Sequence, residues 1–246
     1  MSKYPSISDF FFCRHCISCG EILPLFSDDS FCNQCQKEVF LLDKTEFSLN
    51  NVEKGISIFR YEGSVRQTLV KFKYRNNAEG GRFMARQIAT AIKNDPELCA
   101  ADFIINVPNG KYLTERLYNQ SEFLAKKAAK YCGIKFLPKA LKKKSGIKSQ
   151  IKCKTRRERI ENVKKAFNPI KGLDLTGKTV LIIDDITTTG STLNECAKVL
   201  EKAGAVKIFA ATAARALPTI SPIQAKLLDA DIVFTKKPTV HYKYKN

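Results

Sequence analysis

Long apolar runs are missing from this 246-residue chain. No stretch approaches the roughly 18–20 apolar residues that a bilayer-spanning helix needs, so the sequence excludes such a helix. The N-terminus has an apolar triplet at residues 10–12 but neither a basic region before it nor a long apolar core after it, unlike a secretory signal peptide. Internal repeats are also lacking. We therefore expect a cytoplasmic protein.

Acidic residues are scarce, with 24 Asp and Glu against 42 Lys and Arg and a net charge of +18. Between Lys139 and Lys165 there are twelve basic residues and two acidic ones. Clustered cations attract polyanions by releasing condensed counterions. The segment indicates nucleic acid, pyrophosphate or both as its partner, and a solvated basic loop without a partner is the alternative. Hydrophobic residues at 44% predict a packed core for one α/β domain with a small appendage.

Two Cys-x2-Cys pairs lie twelve residues apart near the N-terminus, among nine cysteines in all. Four thiolates suit a tetrahedral zinc ion, and without a secretion signal a metal is favoured over disulfides. Cys13 forms a third Cys-x2-Cys spacing with Cys16, and His15 is close by, so the register of the first pair stays open. Gly20 favours the later register because it permits a tight turn. The predicted ligands of this zinc ribbon are Cys16, Cys19, Cys32 and Cys35; free or labile thiols are the alternative.

The apolar run Val180–Ile183 is typical of a buried parallel strand, and Asp184 and Asp185 follow it directly. A turn rich in hydroxyls and a helix with an apolar period come next. Open α/β sheets bind ligands outside the carboxyl ends of their strands, and the start of a helix offers N–H groups to a phosphate. The sequence therefore predicts that the two carboxylates bind the hydroxyls of a ribose and that the turn after them binds its phosphate. A solvated turn with an ordinary helix cap is the alternative.

Predicted strands and helices alternate along the chain, which indicates a parallel sheet with helices on both faces. Asn119 or Ser121 is expected to cap one helix, and Gly204 to end another. The predicted strands cover 55–61, 102–107, 134–137, 180–183 and 206–211, and the predicted helices cover 64–72, 82–93, a stretch after residue 121, 157–165 and a stretch from 193 to about 203. The predicted domains are a zinc-ribbon module at 1–40, a connector at 41–54, an α/β domain at 55–215 and a C-terminal extension at 216–246.

The twin acids and the turn after them resemble the ribose-5-phosphate loop of the type I phosphoribosyltransferases, which bind phosphoribosyl pyrophosphate (PRPP). The resemblance implies that Asp184 and Asp185 hold the ribose 2′- and 3′-hydroxyls. It also implies Mg²⁺, bound with PRPP and held mainly by oxygens of the ligand and by water. The residues implied to hold the 5′-phosphate are Thr188, Thr189, Gly190, Ser191 and Thr192.

With the cysteine pairs and this loop together, the chain resembles the ComF family over residues 13–215. Further matching stretches are residues 59–66, 72–74, 106–108, 116–120 and 159–167. The family resemblance implies a type I phosphoribosyltransferase-like parallel sheet flanked by helices, with a small N-terminal zinc-ribbon module. The family usually has Pro where Asn106 stands and Gly where Leu117 stands. These departures concern the pyrophosphate side of the site.

The resemblance assigns the pyrophosphate to backbone amides near Val107, Pro108 and Asn109. Arg116 or cations within 142–159 would then form a lid over the leaving group. Loss of pyrophosphate creates positive charge on the sugar, which nearby carboxylates favour. The predicted catalytic residues are Asp184, Asp185 and Arg116.

The family implies a competence protein that binds PRPP and assists the entry of single-stranded DNA during natural transformation. Its expected partners are PRPP, single-stranded DNA and the competence machinery. An active phosphoribosyltransferase in nucleotide salvage or synthesis is one alternative, and a zinc-dependent scaffold with a vestigial pocket is another. Because no site for an acceptor base can be found in the sequence, binding of PRPP is predicted ahead of turnover.

Overall fold

The computed structural model describes residues 13–24, 27–43, 45–109, 119–144 and 166–217. Its strands are β1 Glu46–Leu49, β2 Val52–Arg60, β3 Phe103–Asn106, β4 Lys135–Phe136, β5 Leu141–Lys143, β6 Phe167–Pro169, β7 Thr179–Thr187 and β8 Lys207–Arg215. Its helices are α1 Asn33–Gln36, α2 Gly63–Tyr74, α3 Ala78–Lys93, α4 Pro96–Cys99, α5 Gln120–Cys132 and α6 Ser191–Lys202.

Six strands form the main sheet in the spatial order β1-β2-β8-β7-β3-β4. All neighbours pair in parallel except β1, which is antiparallel to β2 at the edge. Strands β5 and β6 form a separate antiparallel pair. The predicted parallel sheet flanked by helices is confirmed. Strand β7 is central, and its segment Val180–Ile183 is fully buried because helices cover both faces.

Strands β3 and β7 lie side by side, yet the chain leaves them in opposite directions across the sheet. After β3 the chain runs through α5 to β4, and after β7 it runs through α6 to β8. Such a reversal opens a crevice at the carboxyl ends of the two strands. The residues that follow β3 and those that end β7 therefore meet at the place where an α/β sheet ordinarily binds a ligand.

Several elements differ in extent from the sequence-based expectation. The stretch 41–54, predicted as a connector, contains β1 and the start of β2. Asp184 and Asp185 lie inside β7 rather than after it, since pairing with β8 continues to Thr187. Helix α6 ends at Lys202 with Ala203 as its C-cap, and Gly204 follows in the left-handed conformation.

Three predicted features fall outside the described residues: Arg116, the helix at 157–165, and the C-terminal extension beyond residue 217. Of the two predicted caps for α5, the structure selects Asn119, whose side chain accepts from the Glu122 N–H at 3.2 Å. None of the described helices combines the length and the apolar character that crossing a membrane requires.

The cysteine-rich N-terminal segment packs on α2 and α3 rather than standing apart. Phe31 meets Phe83 of α3 edge to face, with ring centroids 5.2 Å apart. Ile17 and Leu23 are buried in the same cluster as Leu69 of α2. The segment therefore shares its hydrophobic core with one face of the sheet.

Candidate functional site

The turn after β7 leaves the first turn of α6 open for a ligand. Gly190 is the N-cap of α6, and no side chain caps the helix. Within the turn, the hydroxyls of Thr189 and Ser191 lie 2.6 Å apart, and the Ser191 N–H donates to Thr189 Oγ1 at 3.3 Å. The start of an α-helix presents unsatisfied N–H groups and a partial positive charge. This geometry suits an anion such as a phosphate.

Gly190 is required at its position for two reasons. Its φ is +73°, in the left-handed region that side chains rarely adopt. A Cβ built there would also lie 2.6 Å from the Cδ2 atom of Leu49, at the end of β1. The β1–β2 hairpin thus packs directly behind the turn and fixes its course. A second link is the bond from the Asn51 N–H to Oδ1 of Asn194 in α6, at 3.0 Å.

The two acids at the end of β7 are each held by a partner from a different helix. The Ser121 hydroxyl at the start of α5 donates to Asp184 Oδ1 at 2.6 Å. The Asp185 N–H donates to the same oxygen at 2.9 Å. Lys73 near the end of α2 pairs with Asp185, with 2.8 Å between Nζ and Oδ2. These contacts bring three elements together at one pair of carboxylates.

Burial and charge set the protonation of this cluster. Burial, and after it the neighbouring Asp185 charge, raises the pKa of Asp184 to about 7. Burial by itself would lower the pKa of Lys73, but the Asp185 carboxylate outweighs it, so this pKa lies above its ordinary value. Near neutral pH the cluster thus holds a charged lysine, and Asp184 titrates in the same range.

Sequence reasoning did not identify Lys73 or the role of Ser121. Lys73 stands in the Phe72-Lys73-Tyr74 stretch, which matches the family, and Ser121 was considered only as a helix cap. Both lie more than sixty residues in sequence from the twin acids. A lysine at the end of an amphipathic helix, close to the predicted strand ends, was the one available signal.

The end of β3 fits the predicted pyrophosphate contact only in part. The Val107 N–H donates to Ile183 O at 3.0 Å, so the sheet already uses that amide. Pro108 has no N–H to offer. Asn109 is the remaining member of the predicted trio, and its side chain donates to Asn119 Oδ1 at 3.0 Å. The prediction is therefore corrected for the amides of Val107 and Pro108 and narrows to Asn109.

Gln120 joins this side of the site to α2. Its Nε2 donates to the Lys73 carbonyl at 3.4 Å, while its Oε1 is buried and, among the described residues, has no hydrogen-bond partner. The residue is 1% exposed. A buried acceptor without a partner is unusual and is compatible with a donor supplied by water or a ligand.

The four predicted cysteine ligands come together, and Cys13 stays outside the group. The Sγ atoms of Cys16, Cys19, Cys32 and Cys35 all lie within 4.8 Å of one another. Cys19 and Cys32 are 3.7 Å apart at sulfur. Four sulfurs at the zinc–sulfur distance in a tetrahedron would be about 3.8 Å apart. The arrangement therefore fits a tetrahedral zinc ion.

Hydrogen bonds favour the thiolate of Cys16, whereas burial and side-chain hydrogen bonds raise the pKa of Cys19 and of Cys32. Burial opposes ionisation of the Cys16 thiol, but backbone N–H groups of Cys32, Cys19 and Ser18 outweigh it and lower the pKa of Cys16 to about 7. The thiolate is the form that binds a metal. Both pairs sit in tight turns, and the Gly20 N–H donates to the Cys16 carbonyl at 2.9 Å.

Two side-chain bonds connect the first cysteine pair to α2 and to the corner that follows it. Ser18 Oγ donates to Gln67 Oε1 at 3.1 Å. Asn77 Nδ2 donates to the Ile17 carbonyl at 2.8 Å, while Asn77 Oδ1 caps α3 by accepting from Gly80 N–H at 3.0 Å. The cysteine cluster and Lys73 are thus attached to the same helix.

Comparison with known proteins agrees with this geometry. Residues 140–243, which include the twin acids and the phosphate turn, match the family described as phosphoribosyl transferase domain. Competence protein F of Haemophilus influenzae is 28% identical over 207 residues, which cover 82% of this chain and 83% of that protein. The chain is a homologue of competence protein F. DNA utilization protein YhgH of Salmonella typhi is a second relative, 23% identical over 63% of the chain and 69% of that protein.

Among solved structures, the chain is similar to adenine phosphoribosyltransferase from Trypanosoma brucei. The identity is 12%, the match covers 79% of this chain and 90% of that one, and the TM-score is 0.37. The assignment of the fold class rests on the order and direction of the strands together with the family match.

Proposed function

We propose that this chain binds PRPP in the crevice at the carboxyl ends of β3 and β7. Asp184 and Asp185 accept hydrogen bonds from the ribose 2′- and 3′-hydroxyls. The contacts described above engage Oδ1 of Asp184 and Oδ2 of Asp185. The opposite oxygen of each carboxylate is the one that would receive a hydroxyl.

The turn from Thr188 to Thr192 would hold the 5′-phosphate. Its support is the open N-terminus of α6 with Gly190 as N-cap. The hydroxyls of Thr189 and Ser191, which lie within hydrogen-bond distance of each other, would exchange that contact for phosphate oxygens. The observation that carries the proposal is that the twin acids at the end of β7 and the turn after them lie next to each other. They do so where the chain leaves β3 and β7 in opposite directions.

The pyrophosphate would lie on the β3 side, against Asn109 and the residues after it. Arg116 and cations between residues 142 and 159 would close over the pyrophosphate as the resemblance implies; of these residues, the structure describes 142–144. Mg²⁺ bound with the ligand would offset the charge of the pyrophosphate, with ligand oxygens and water as its main partners. Within the protein, the residues that contact the ligand would orient the sugar and keep water away from its anomeric carbon.

A calorimetric titration with PRPP and Mg²⁺ tests this binding site. The wild-type chain is expected to bind, and the double change Asp184→Asn with Asp185→Asn to abolish binding. Asp28 and Asp29 form a second adjacent pair, exposed and near the cysteine cluster, so their double change to Asn is a matched control for charge. Affinity that survives the change at 184 and 185 would refute the assignment.

We infer that the four cysteines hold a structural zinc ion. The support is the sulfur spacing, which matches a tetrahedral site, and the small size of the segment, which buries little apolar surface without the main domain. Elemental analysis of the purified protein is expected to give one zinc per chain. A metal-free protein with four reactive thiols in this cluster would contradict the inference.

We propose a role in natural transformation, in which this PRPP-binding protein assists the entry of single-stranded DNA together with the competence machinery. The names of the two relatives, competence protein F and DNA utilization protein YhgH, support this proposal. The excess of ten positive charges between residues 139 and 165 supplies a plausible contact for a polyanion.

Gel-shift titrations with single-stranded DNA over a range of salt concentrations test the DNA contact. Binding is expected to weaken steeply with salt, because each phosphate contact releases a counterion. Substitution of Lys148, Lys152 and Lys154 with Gln should reduce the salt slope, while the same change at the exposed Lys126, Lys130 and Lys202 should leave it unchanged. A response that is flat with salt would remove the polyanion argument.

Turnover as a phosphoribosyltransferase is the second candidate, favoured by the match of residues 140–243 to that domain family. Incubation with PRPP, Mg²⁺ and a panel of bases and amines would show it by release of pyrophosphate above background. The variant with Asn at 184 and 185 is the blank. Binding without release would leave the ligand-binding role as the function.

A further inference from the structure

We propose that Lys73 is a positioning residue for the ribose diol. It fixes the Asp185 carboxylate through Oδ2, so that the other oxygen is presented to a hydroxyl of the ligand. The inference rests on the proposed PRPP site and assigns a function to a residue outside the phosphate-loop motif. Lys73 acts through Asp185 and is not assigned a contact with the ligand.

The geometry of the ion pair supports this role. The Nζ–Oδ2 distance is 2.8 Å, and the side chains of Lys73 and Asp185 are only 18% and 12% exposed. A pair this enclosed is screened less than a surface pair, and so restrains the carboxylate more strongly. Its residual exposure shows that the pair is not completely sealed inside the core.

The anchoring of Lys73 is equally specific. Its carbonyl accepts from Gln120 Nε2 at 3.4 Å, at the start of α5, and the next residue, Ser121, holds Asp184. This contact between α5 and α2 therefore helps to position both Ser121 and Lys73, which are the partners of the two carboxylates. The two acids are held from two different helices, Asp184 from α5 and Asp185 from α2.

The charge of Lys73 is also required. Two adjacent carboxylates repel each other, and burial disfavours their ionised forms. The titratable groups that face this pair are Lys73 on α2, Tyr61 after β2 and Cys196 on α6. Lys73 is the cation among these groups, and its charge favours the ionised form of Asp184, which accepts hydrogen bonds from hydroxyls.

The test compares Lys73→Met with wild type in calorimetric titrations of three probes: ribose 5-phosphate, 2-deoxyribose 5-phosphate and inorganic phosphate. Lys73→Met is expected to weaken ribose 5-phosphate by about 10- to 100-fold, the usual effect of losing a charged hydrogen bond. Preference over the deoxy sugar should shrink, and affinity for inorganic phosphate should stay at the wild-type value. Equal weakening of all three probes would overturn the proposal, because it would mean that Lys73 contacts the phosphate.

Two further variants separate positioning from a general structural effect. Lys73→Arg keeps the charge and should retain most of the affinity for ribose 5-phosphate. Lys71→Met removes one positive charge from the same helix, away from the acids, and should behave as wild type. An affinity for ribose 5-phosphate that is unchanged in Lys73→Met would also overturn the proposal.

Lys73→Met leaves Asp185 without its partner and can lower stability, so a double variant keeps the test decisive. Lys73→Met combined with Asp185→Asn removes both charges. If Lys73 acts through Asp185, this double variant binds ribose 5-phosphate as Asp185→Asn alone does. A double variant weaker than that single one would show direct contact between Lys73 and the ligand and refute the proposal.

The pH dependence gives a readout that lost stability alone would not move. Without Lys73 the Asp184 carboxyl loses the attraction of a positive charge and ionises at higher pH, so the midpoint at which affinity for ribose 5-phosphate falls on acidification should move upward. Inorganic phosphate corrects for titration of the phosphate itself. An unshifted midpoint would refute the charge role, whereas a wild-type chain that binds neither PRPP nor ribose 5-phosphate would refute the proposed function instead.

Discussion

The cysteine cluster and the twin-acid site both hold α2, but by contacts of different kinds. The cluster is attached by neutral hydrogen bonds, such as Ser18 to Gln67, and by a continuous apolar core. The site is attached by one ion pair, Lys73 to Asp185, and a weak bond from Gln120. The first set contains several contacts, so we expect the attachment of the cluster to survive the loss of any one of them. The second set depends on the charge of Lys73, so substitution of this one residue is expected to alter the site.

The largest effect is expected from loss of the cluster itself. Cys32→Ser should abolish zinc binding and cost on the order of 5 kcal/mol or more in unfolding free energy, since metal binding and folding of such modules are coupled. Thermal unfolding with zinc analysis measures both. Cys13→Ser is the matched control, because Cys13 is exposed and outside the cluster, and it should retain one zinc. Full zinc content in Cys32→Ser would contradict the assigned ligand set.

The site's phosphate turn is expected to be the next most sensitive point. Gly190→Ala places a side chain at a φ of +73° and against Leu49, which should cost roughly 2–4 kcal/mol in stability and tenfold or more in PRPP affinity. Gly177 has a φ of +72° and open space around it, so Gly177→Ala isolates the conformational cost. Chemical unfolding and calorimetry report the two quantities. Equal effects of the two changes would show that Leu49 does not constrain the turn.

The link between cluster and helix corner is expected to matter less. Asn77→Ala removes the cap of α3 and the bond to Ile17, for about 1–2 kcal/mol. Asn77→Asp keeps the capping oxygen and removes only the donor, so its smaller loss measures the link itself. Melting temperature and the rate of zinc removal by a chelator are the measurements. If Asn77→Asp matches Asn77→Ala, the link rather than the cap carries the stability.

An effect of comparable size concerns pH. Because the pKa of Asp184 is raised to about 7, the folded state keeps a proton that the unfolded chain has lost between pH 4 and 7, and stability falls over that range. Asp184→Asn should therefore be more stable than wild type by roughly 1–3 kcal/mol above pH 7 and similar to it near pH 4. Urea unfolding at both pH values tests this. Asp174, whose pKa is lowered by bonds to Thr176, is a control that should show no such gain on change to Asn.

Local spacing was enough to predict the cysteine cluster. Each Cys-x2-Cys turn by itself places its two thiols close together, and the structure brings the four sulfurs together. The apolar run before Asp184 likewise predicted β7. The first pair allows two registers of the same spacing, Cys13 with Cys16 or Cys16 with Cys19, and Gly20 favoured the second, whose sulfurs come together with those of Cys32 and Cys35.

Partners from distant segments could not be predicted. Lys73 and Ser121 reach the acids only because α2 and α5 cross the carboxyl end of the sheet, and nothing local in their sequence reports that crossing. Strand β1 was missed for a similar reason: an edge strand of four residues has a weak pattern and is stabilised by its neighbour. The amide of Val107 was misassigned because its use in the sheet depends on the pairing of β3 with β7.

The edge-to-face contact of Phe31 with Phe83 has a consequence for how this protein can change. The cysteine segment cannot be replaced independently of the main domain. Its removal would expose aromatic surface on α3 and remove the side chains that pack against α2. Any relative that lacks the four thiols is therefore expected to cover that face with other side chains, or to bind its ligand less tightly.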